Sequence, residues 1–347
     1  EFYLDVKEYL ATNLQYTKNM QERISKLQVT SLNQSQKPQT ILLVIGESAS
    51  RDYMKAFNKD YKYDTTPWLD KIAQHKNCIL FPNAFSILPG TVIAVSNAMT
   101  EINQYNDKKF YESCSIIDIA HKAGYKVHWY SNQGHLGCAD TPVTLIANTA
   151  DVAKWTKQEL NQIQYDESLL DYLGELDTTK NNFLVIHLKG SHFNFLNRYP
   201  ESFTKFGTVG KYELELNYAN SIAYTDSVLE QIFNYAKDNL NLQAMVYFSD
   251  HATVPDKRRS PNFDGLASVR IPFFTYFADE YIAQHQDVYD TLKKHENFYW
   301  TNDLAYELLC SIFDIKSNHF DEANSLASEK FKYKREDLRT NCGQSKI

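Results

Sequence analysis

Three apolar runs in this chain break off into polar residues where a strand would leave a sheet. Thr40-Ile-Leu-Leu-Val-Ile45 stops at Gly46-Glu47-Ser48. Asn182-Phe-Leu-Val-Ile186 leads into His187 and then Gly190-Ser191-His192. Gln243-Ala-Met-Val-Tyr-Phe248 gives way to Ser249-Asp250-His251. Short continuous apolar runs bounded by turn residues read as strands buried on both faces. Further strands are predicted at 81–86, 126–130 and 271–277. Helices are predicted from Pro67 to Ile72, with Thr66 as N-cap and Pro67 at the first position, and at 92–99, 115–123, 165–175, 213–238 and 302–313. This alternation predicts an α/β fold, a central and mainly parallel sheet sandwiched by helices. Residues 1–27 read as a polar helix without a strong apolar face. Residues 28–39, rich in Ser, Gln, Asn and Pro, read as a linker. The chain thus divides into a connector, 1–39, and one domain, 40–347.

Composition narrows the function. At 347 residues, 43% hydrophobic and 14% aromatic, the chain can build a large core. Its net charge of −7 argues against nucleic acid, which calls for a basic face or stripe. No run approaches the roughly 18 apolar residues that span a bilayer. Cysteines at 78, 114, 138, 310 and 342 form no CxxC pair, which speaks against a cysteine zinc site. Cys114 and Cys138 flank a predicted helix and strand and form a candidate disulfide; buried free thiols are the plainer reading. The chain begins at Glu1 rather than Met, so it is expected to be an excised domain or a processed product.

The strand ends carry the chemistry. Ligands of an open parallel sheet sit beyond the carboxyl ends of its strands. Glu47, Asp250 and His251 offer the oxygen and nitrogen donors that zinc accepts. Each alone is unremarkable; the set points to a metal-dependent enzyme. Thr91, in Pro89-Gly90-Thr91 before a helix, reads alone as an N-cap residue, but a hydroxyl there also faces free N–H groups that can hold phosphate. His187 and His192 are candidates for a structural imidazole, a second metal ligand or a general acid. His135 is a weaker candidate in a Gly-rich turn. His75, His121, His285, His295 and His319 read as surface residues.

Taken in order, several segments carry a resemblance: Val44-Ile-Gly-Glu-Ser48, Thr65-Thr-Pro67, His187-Leu-Lys-Gly-Ser-His192 with Arg198-Tyr-Pro200, Ser221-Ile-Ala-Tyr-Thr-Asp226, Tyr247-Phe-Ser-Asp-His251 and Ile271-Pro-Phe273. Over residues 40–315 the chain resembles the catalytic domain of bacterial phosphoethanolamine transferases, within the alkaline phosphatase/sulfatase superfamily. That resemblance implies a sulfatase-like fold and a zinc ion held by Glu47, Thr91, Asp250 and His251. It makes Thr91 the nucleophile, places His192 near the donor phosphate or a second zinc, and assigns Asn132, Gln133, His187 and His192 to substrate binding. The donor would be phosphatidylethanolamine. The acceptor would be lipid A, a core sugar or another envelope glycan, and the family includes colistin (polymyxin) resistance enzymes. It further implies a monomer at the periplasmic face of the inner membrane, attached through a segment outside this chain.

Two departures from the lipid A enzymes stand out. Pro89-Gly90-Thr91-Val-Ile replaces their Cys-Gly-Thr-x-Thr run, and Ala252 follows His251 where they have Gly and then a further His. Between His251 and His285 this chain has no histidine and instead carries Asp256, Lys257, Arg258, Arg259 and Asp264, so one or two zinc ions remain open. A phosphoglycerol transferase, or a phosphodiesterase that delivers to water, is the alternative within the superfamily. A formylglycine sulfatase would need a Cys/Ser-x-Pro-x-Arg motif near position 91, and the chain has none. A binding protein that has lost its chemistry is the third reading, and the retained Glu47, Thr91, Asp250 and His251 argue against it.

Overall fold

The computed structural model describes residues 2–347 except 34, 36, 135–140, 157–162, 208–209, 211, 258–265 and 342–343. Its centre is a seven-stranded sheet of β1 Thr40–Gly46, β2 Cys78–Leu80, β3 Lys126–Ser131, β4 Val152–Trp155, β5 Asn182–His187, β6 Leu242–Ser249 and β7 Phe273–Phe277. The strand order is β2-β7-β6-β1-β5-β3-β4. β1 runs parallel to β5 and β6, and β3 runs parallel to β5 and β4. At one edge the direction reverses, with β7 antiparallel to both β6 and β2.

The predicted runs become strands because alternate side chains enter two apolar layers. Ile41, Leu43, Phe183, Val185 and Val246 pack on one face with Ile116, Ile119 and Leu308. Leu42, Val44, Leu184, Ile186 and Met245 pack on the other with Val228, Leu229 and Ile232 of the helix Leu214–Asn239. Every residue of β1, β5 and β6 is buried. Truncating one of these, such as Leu184→Ala, costs about 2–5 kcal/mol. Register then positions the site. Ile45 lies opposite His187 on one side and Phe248 on the other, and Gly46 lies opposite Ser249. The three strands therefore end level, and the polar residues that follow them emerge along one edge.

Several local details differ from the sequence expectations. Residues 29–31 of the expected linker form a strand, Val29–Ser31, paired antiparallel with Ile315–Ser317. The N-terminal helix, Phe2–Lys26, lies against the domain: Tyr16 stacks on Phe110 with ring centroids 4.3 Å apart, and Arg23 donates to the Tyr111 carbonyl. The expected helix at 165–175 is a run of 3-10 turns, Asp166–Glu175. Within the expected strand 81–86 only Ala84–Phe85 is extended, while Cys78–Leu80 joins the sheet. Thr66 precedes the helix Pro67–Ile72, but its hydroxyl accepts from Ala56 N–H instead. Asp226 caps that helix, accepting Trp68 and Leu69 N–H at 2.9 and 3.1 Å.

Two histidines expected at the surface are buried, His285 and His295. His295 meets the Leu326 carbonyl at 2.8 Å, and His285 lies 3.4 Å from Asp314. His319 is largely covered and lies 2.9 Å from Glu101. The C-terminal segment and the strand Ile315–Ser317 cover helices whose own sequence looks exposed. Cys114 is buried with a free thiol, which burial pushes up to about 12, while Cys138 lies outside the described residues. His135, Arg258, Arg259 and Asp264 lie outside them as well.

Candidate active site

β1 delivers Glu47 and β6 delivers Asp250 and His251, all fully buried. Ser48 turns the chain sharply after Glu47, at φ 59°. The loop after β5 closes over this turn through Gly190, at φ 48°, where a Cβ would lie 2.7 Å from the Glu47 carbonyl oxygen. Glycine is needed there on both counts. Ser191 N–H donates to that same carbonyl at 2.9 Å. Ligand atoms of Glu47, Asp250 and His251 all lie within 4.8 Å of one another.

The hydrogen bonds point these groups at one spot. Asp250 Oδ1 accepts Ser48 N–H at 2.9 Å and His251 N–H at 2.7 Å, while its buried Oδ2 accepts no hydrogen bond. His251 Nδ1 sits 3.0 Å from the Ala252 carbonyl, so its N–H belongs there and Nε2 keeps its lone pair. That Nε2 faces Asp250 Oδ2 at 3.3 Å and Glu47 Oε1 at 3.4 Å. Burial, and then the charge of Glu47, push the Asp250 carboxyl up to about 7. Burial also works to raise the Glu47 carboxyl, and the nearby imidazoles of His251 and His192, whenever they are protonated, and the Ser48 hydroxyl work to lower it. Two buried carboxylates around one point, with an orphaned oxygen and an unprotonated imidazole nitrogen, fit a divalent cation by the chemistry of the donor set.

Thr91 opens the helix Thr91–Ala98, and Gly90 rather than Thr91 is its N-cap. The Thr91 hydroxyl is therefore not used in capping. It donates to Glu47 Oε2 at 2.9 Å and lies 3.4 Å from His251 Nε2. Ser86 and Asn302 fix the approach: the Asn302 amide donates to the Asp250 carbonyl at 2.8 Å and its oxygen accepts Ile87 N–H at 2.9 Å. A cavity of about 210 Å³ opens beside Thr91 and Glu47, with Gln133, His187, His192, Trp129 and Trp155 among its walls. His187 is fully buried, its Nε2 has no partner, and burial lowers its pKa to about 4, so it stays neutral. Gln133 donates to the Leu188 carbonyl at 2.6 Å.

Among the residues expected at the site, Glu47, Thr91, Asp250 and His251 come together, with Gln133, His187 and His192 around the cavity. Asn132 does not reach that cavity. It is fully buried and its side chain bonds Asp166 at 2.8 Å and Thr156 at 2.6 Å. Asp166 in turn accepts Lys189 N–H at 2.7 Å and Gly190 N–H at 2.8 Å, which fixes the His187–His192 loop. Sequence reasoning missed Asp166, because an acid at a helix start looks like ordinary N-terminal charge.

The Sulfatase family profile matches residues 39–310. The chain belongs to the Sulfatase family. Among curated relatives it is 28% identical to phosphoethanolamine transferase EptC of Escherichia coli over 324 residues, covering 85% of this chain and 54% of that protein. It is 28% identical to phosphoethanolamine transferase OpgE of the same organism over 286 residues, covering 75% of this chain and 50% of that one. The chain thus spans about half the length of these relatives. Among solved structures, the C-terminal periplasmic domain of E. coli EptC in complex with zinc superposes with a TM-score of 0.79 at 23% identity, covering 92% of this chain and 94% of that one. That likeness establishes the shared fold.

A second group with metal-type ligands, Glu101, Cys114 and His319, lies elsewhere in the chain. Its carboxylate already accepts Cys114 N–H at 2.8 Å, His319 Nδ1 at 2.9 Å and the Lys108 ammonium.

Proposed function

We propose that this chain is the catalytic domain of a zinc-dependent phosphoethanolamine transferase that works through a phosphothreonine intermediate. The observation that carries this reading is the Thr91 hydroxyl, 2.9 Å from Glu47 Oε2 and 3.4 Å from His251 Nε2, beside the orphaned Asp250 Oδ2. Glu47, Thr91, Asp250 and His251 would hold the zinc. Zinc there supplies Lewis-acid stabilisation of charge on phosphoryl oxygens and lowers the pKa of a neighbouring hydroxyl.

The chain's own groups account for the rest. Thr91 Oγ1 has a proton acceptor in Glu47 Oε2, and it attacks the phosphorus of phosphatidylethanolamine. The bond from phosphorus to the glycerol oxygen breaks, its electron pair stays on that oxygen, and His192 supplies the proton that completes diacylglycerol. Phosphoethanolamine remains on Thr91. In the second half, an acceptor hydroxyl or protonated phosphate oxygen attacks the same phosphorus and gives its proton to His192, the Thr91 ester bond breaks, and Oγ1 recovers its proton from Glu47. His187, kept neutral by burial, and Gln133 orient the head group. Asn132 acts by positioning, through Asp166 and the loop that carries His192.

The names of the relatives support the transferred group, and the zinc complex of the structural neighbour supports the metal. On this reading residues 40–347 form the catalytic unit and 1–39 a connector to a membrane segment outside the chain. The site faces the periplasm, and the acceptor is lipid A, a core sugar or another envelope glycan. No helix among the described residues is long and apolar enough to cross a membrane. The test is to incubate the zinc-loaded chain with phosphatidylethanolamine labelled in its head group and to follow intact mass. One phosphoethanolamine group should appear on Thr91, and Thr91→Ala should stay unlabelled. Label on another residue, or equal labelling of Thr91→Ala, would contradict the assignment.

A further inference from the structure

The C-terminal segment reaches back to the stretch of chain that carries Thr91. Arg339 pairs antiparallel with Lys346, and Thr340 with Ser345. This hairpin lies beyond residue 310, where the family match ends. Apolar neighbours hold it in place: Phe331, Tyr333, Leu338 and Ile347 pack in the same layer as Ile41 and Val185. Polar ties fix it further. Arg339 N–H donates to Gln104 Oε1 at 2.6 Å, and the Gln104 amide donates to Thr301 Oγ1 at 2.8 Å.

The buried Thr340 hydroxyl donates to two successive carbonyls, Ser86 at 2.8 Å and Ile87 at 3.2 Å. Ser86 and Ile87 are themselves buried, and among the described residues neither carbonyl accepts from another donor. Buried carbonyls need such a partner. Packing alone would be served by valine at position 340; what threonine adds is the donor. The same two residues are tied to the metal-type ligands. Ser86 Oγ donates to the Asp250 carbonyl at 2.5 Å, and Asn302 bridges Ile87 N–H to that carbonyl. Only Leu88, Pro89 and Gly90 separate Ile87 from Thr91. The Pro89 ring fixes its own φ, and Gly90 N–H closes back on the Leu88 carbonyl at 2.9 Å. Little slack remains, so a displaced Ser86–Ile87 backbone carries Thr91 with it.

We propose that Thr340 is a positioning residue for the transfer: its hydroxyl holds the Ser86–Ile87 backbone and thereby sets how Thr91 Oγ1 stands against Glu47 and His251. This rests on the functional reading above, in which Thr91 is the nucleophile.

The test uses the zinc-loaded 347-residue chain, with a water-soluble aryl ester of phosphoethanolamine as donor. Thr340→Val and Thr340→Ala both remove the hydroxyl, and Thr340→Ser keeps it. Arg335→Ala removes a different tie of the same tail, its Nε donation to the Ile347 carbonyl at 3.2 Å. Thr340→Val and Thr340→Ala should lower kcat about tenfold or more with KM within about twofold, because a misplaced nucleophile loses the transition state more than it loses binding. Thr340→Ser and Arg335→Ala should keep kcat within about threefold of wild type. Hydrogen exchange read by mass spectrometry follows the tie without turnover: amides of residues 86–91 should exchange about tenfold faster in Thr340→Val and at the wild-type rate in Thr340→Ser. Unchanged exchange in Thr340→Val would overturn the proposal, as would equal losses of kcat in Thr340→Val, Thr340→Ser and Arg335→Ala. Wild-type protein that turns over no donor, with the exchange difference present, would sink the functional reading and leave the tie standing.

Discussion

Among the described residues, two groups of three ligand-type side chains hold buried carboxylates, and they do so in opposite ways. At Glu101, Cys114 and His319 every carboxylate oxygen has donors: Cys114 N–H, His319 and the Lys108 ammonium. Burial alone would raise the Glu101 carboxyl, but those hydrogen bonds outweigh it and hold it below its usual range. At Glu47, Asp250 and His251 two carboxylates face one another, Asp250 Oδ2 accepts nothing, and burial with the Glu47 charge raises the Asp250 carboxyl to about 7. Similar residue types at similar separations therefore mean different things. The first group is complete as a structural tie; the second has the donor set of a cation site. Ligand spacing alone does not separate them, whereas the hydrogen bonds of each oxygen do.

The largest expected effect breaks the comparison at its reactive end. Thr91→Ala should lower phosphoethanolamine transfer by about three orders of magnitude or more while the chain keeps its thermal unfolding profile. Steady-state transfer from labelled donor checks the first part, and calorimetry the second. Changes at Glu101, Cys114 or His319 should leave transfer within about threefold, because that group touches no part of the cavity beside Thr91.

Amide substitutions in zinc-free protein should give opposite signs at the two groups. Glu101→Gln leaves the Lys108 ammonium without its carboxylate and turns an acceptor into a donor facing other donors, so it should cost about 2–3 kcal/mol. Asp250→Asn keeps an oxygen for the Ser48 and His251 N–H groups, places an amide donor beside Glu47 and removes the like-charge contact. It should stabilise the zinc-free chain by about 1–2 kcal/mol and abolish the further stabilisation that zinc gives the wild type. Urea unfolding with and without zinc measures both; a destabilised Asp250→Asn in the absence of zinc would break the contrast.

Acid titration sharpens it further. Burial lowers His187 from 6.5 to about 4 in the folded protein, so as pH falls the unfolded chain takes up the proton first. Its contribution to stability is flat above pH 6.5 and is lost between 6.5 and about 4. His187→Gln should remove about 3 kcal/mol of that acid-side loss in zinc-free protein. An unchanged pH profile would mean that His187 is not held neutral by burial. The smallest effect belongs to Cys114→Ser, which should leave bound zinc unchanged by elemental analysis and shift stability by about 1 kcal/mol.

Much of this was legible in the sequence, for physical reasons. β1, β5 and β6 announce themselves because strands buried on both faces read as unbroken apolar runs, and the residues after them must leave the sheet together when the registers are level. Glu47, Asp250 and His251 could be named on that ground. The partners that complete the site could not. Asp166 fixes the His187–His192 loop through backbone N–H groups more than twenty positions away, and Asn302 reaches the Asp250 carbonyl from a different helix. Asn132 looked like a residue lining the pocket because it is polar at a strand end, yet its polarity is used against Asp166 and Thr156. His285 and His295 looked exposed because their own helices are polar, while what covers them comes from later in the chain. Local pattern fixes which face a residue points to; whether another segment covers that face depends on contacts remote in sequence.

The most direct measurement is an anomalous difference map, recorded at the zinc absorption edge from crystals of this chain grown with zinc. A single strong peak bounded by Glu47, Thr91 Oγ1, Asp250 and His251, with nothing at Glu101, Cys114 and His319, is the result this account predicts. A peak at the second group with none at the first would contradict it.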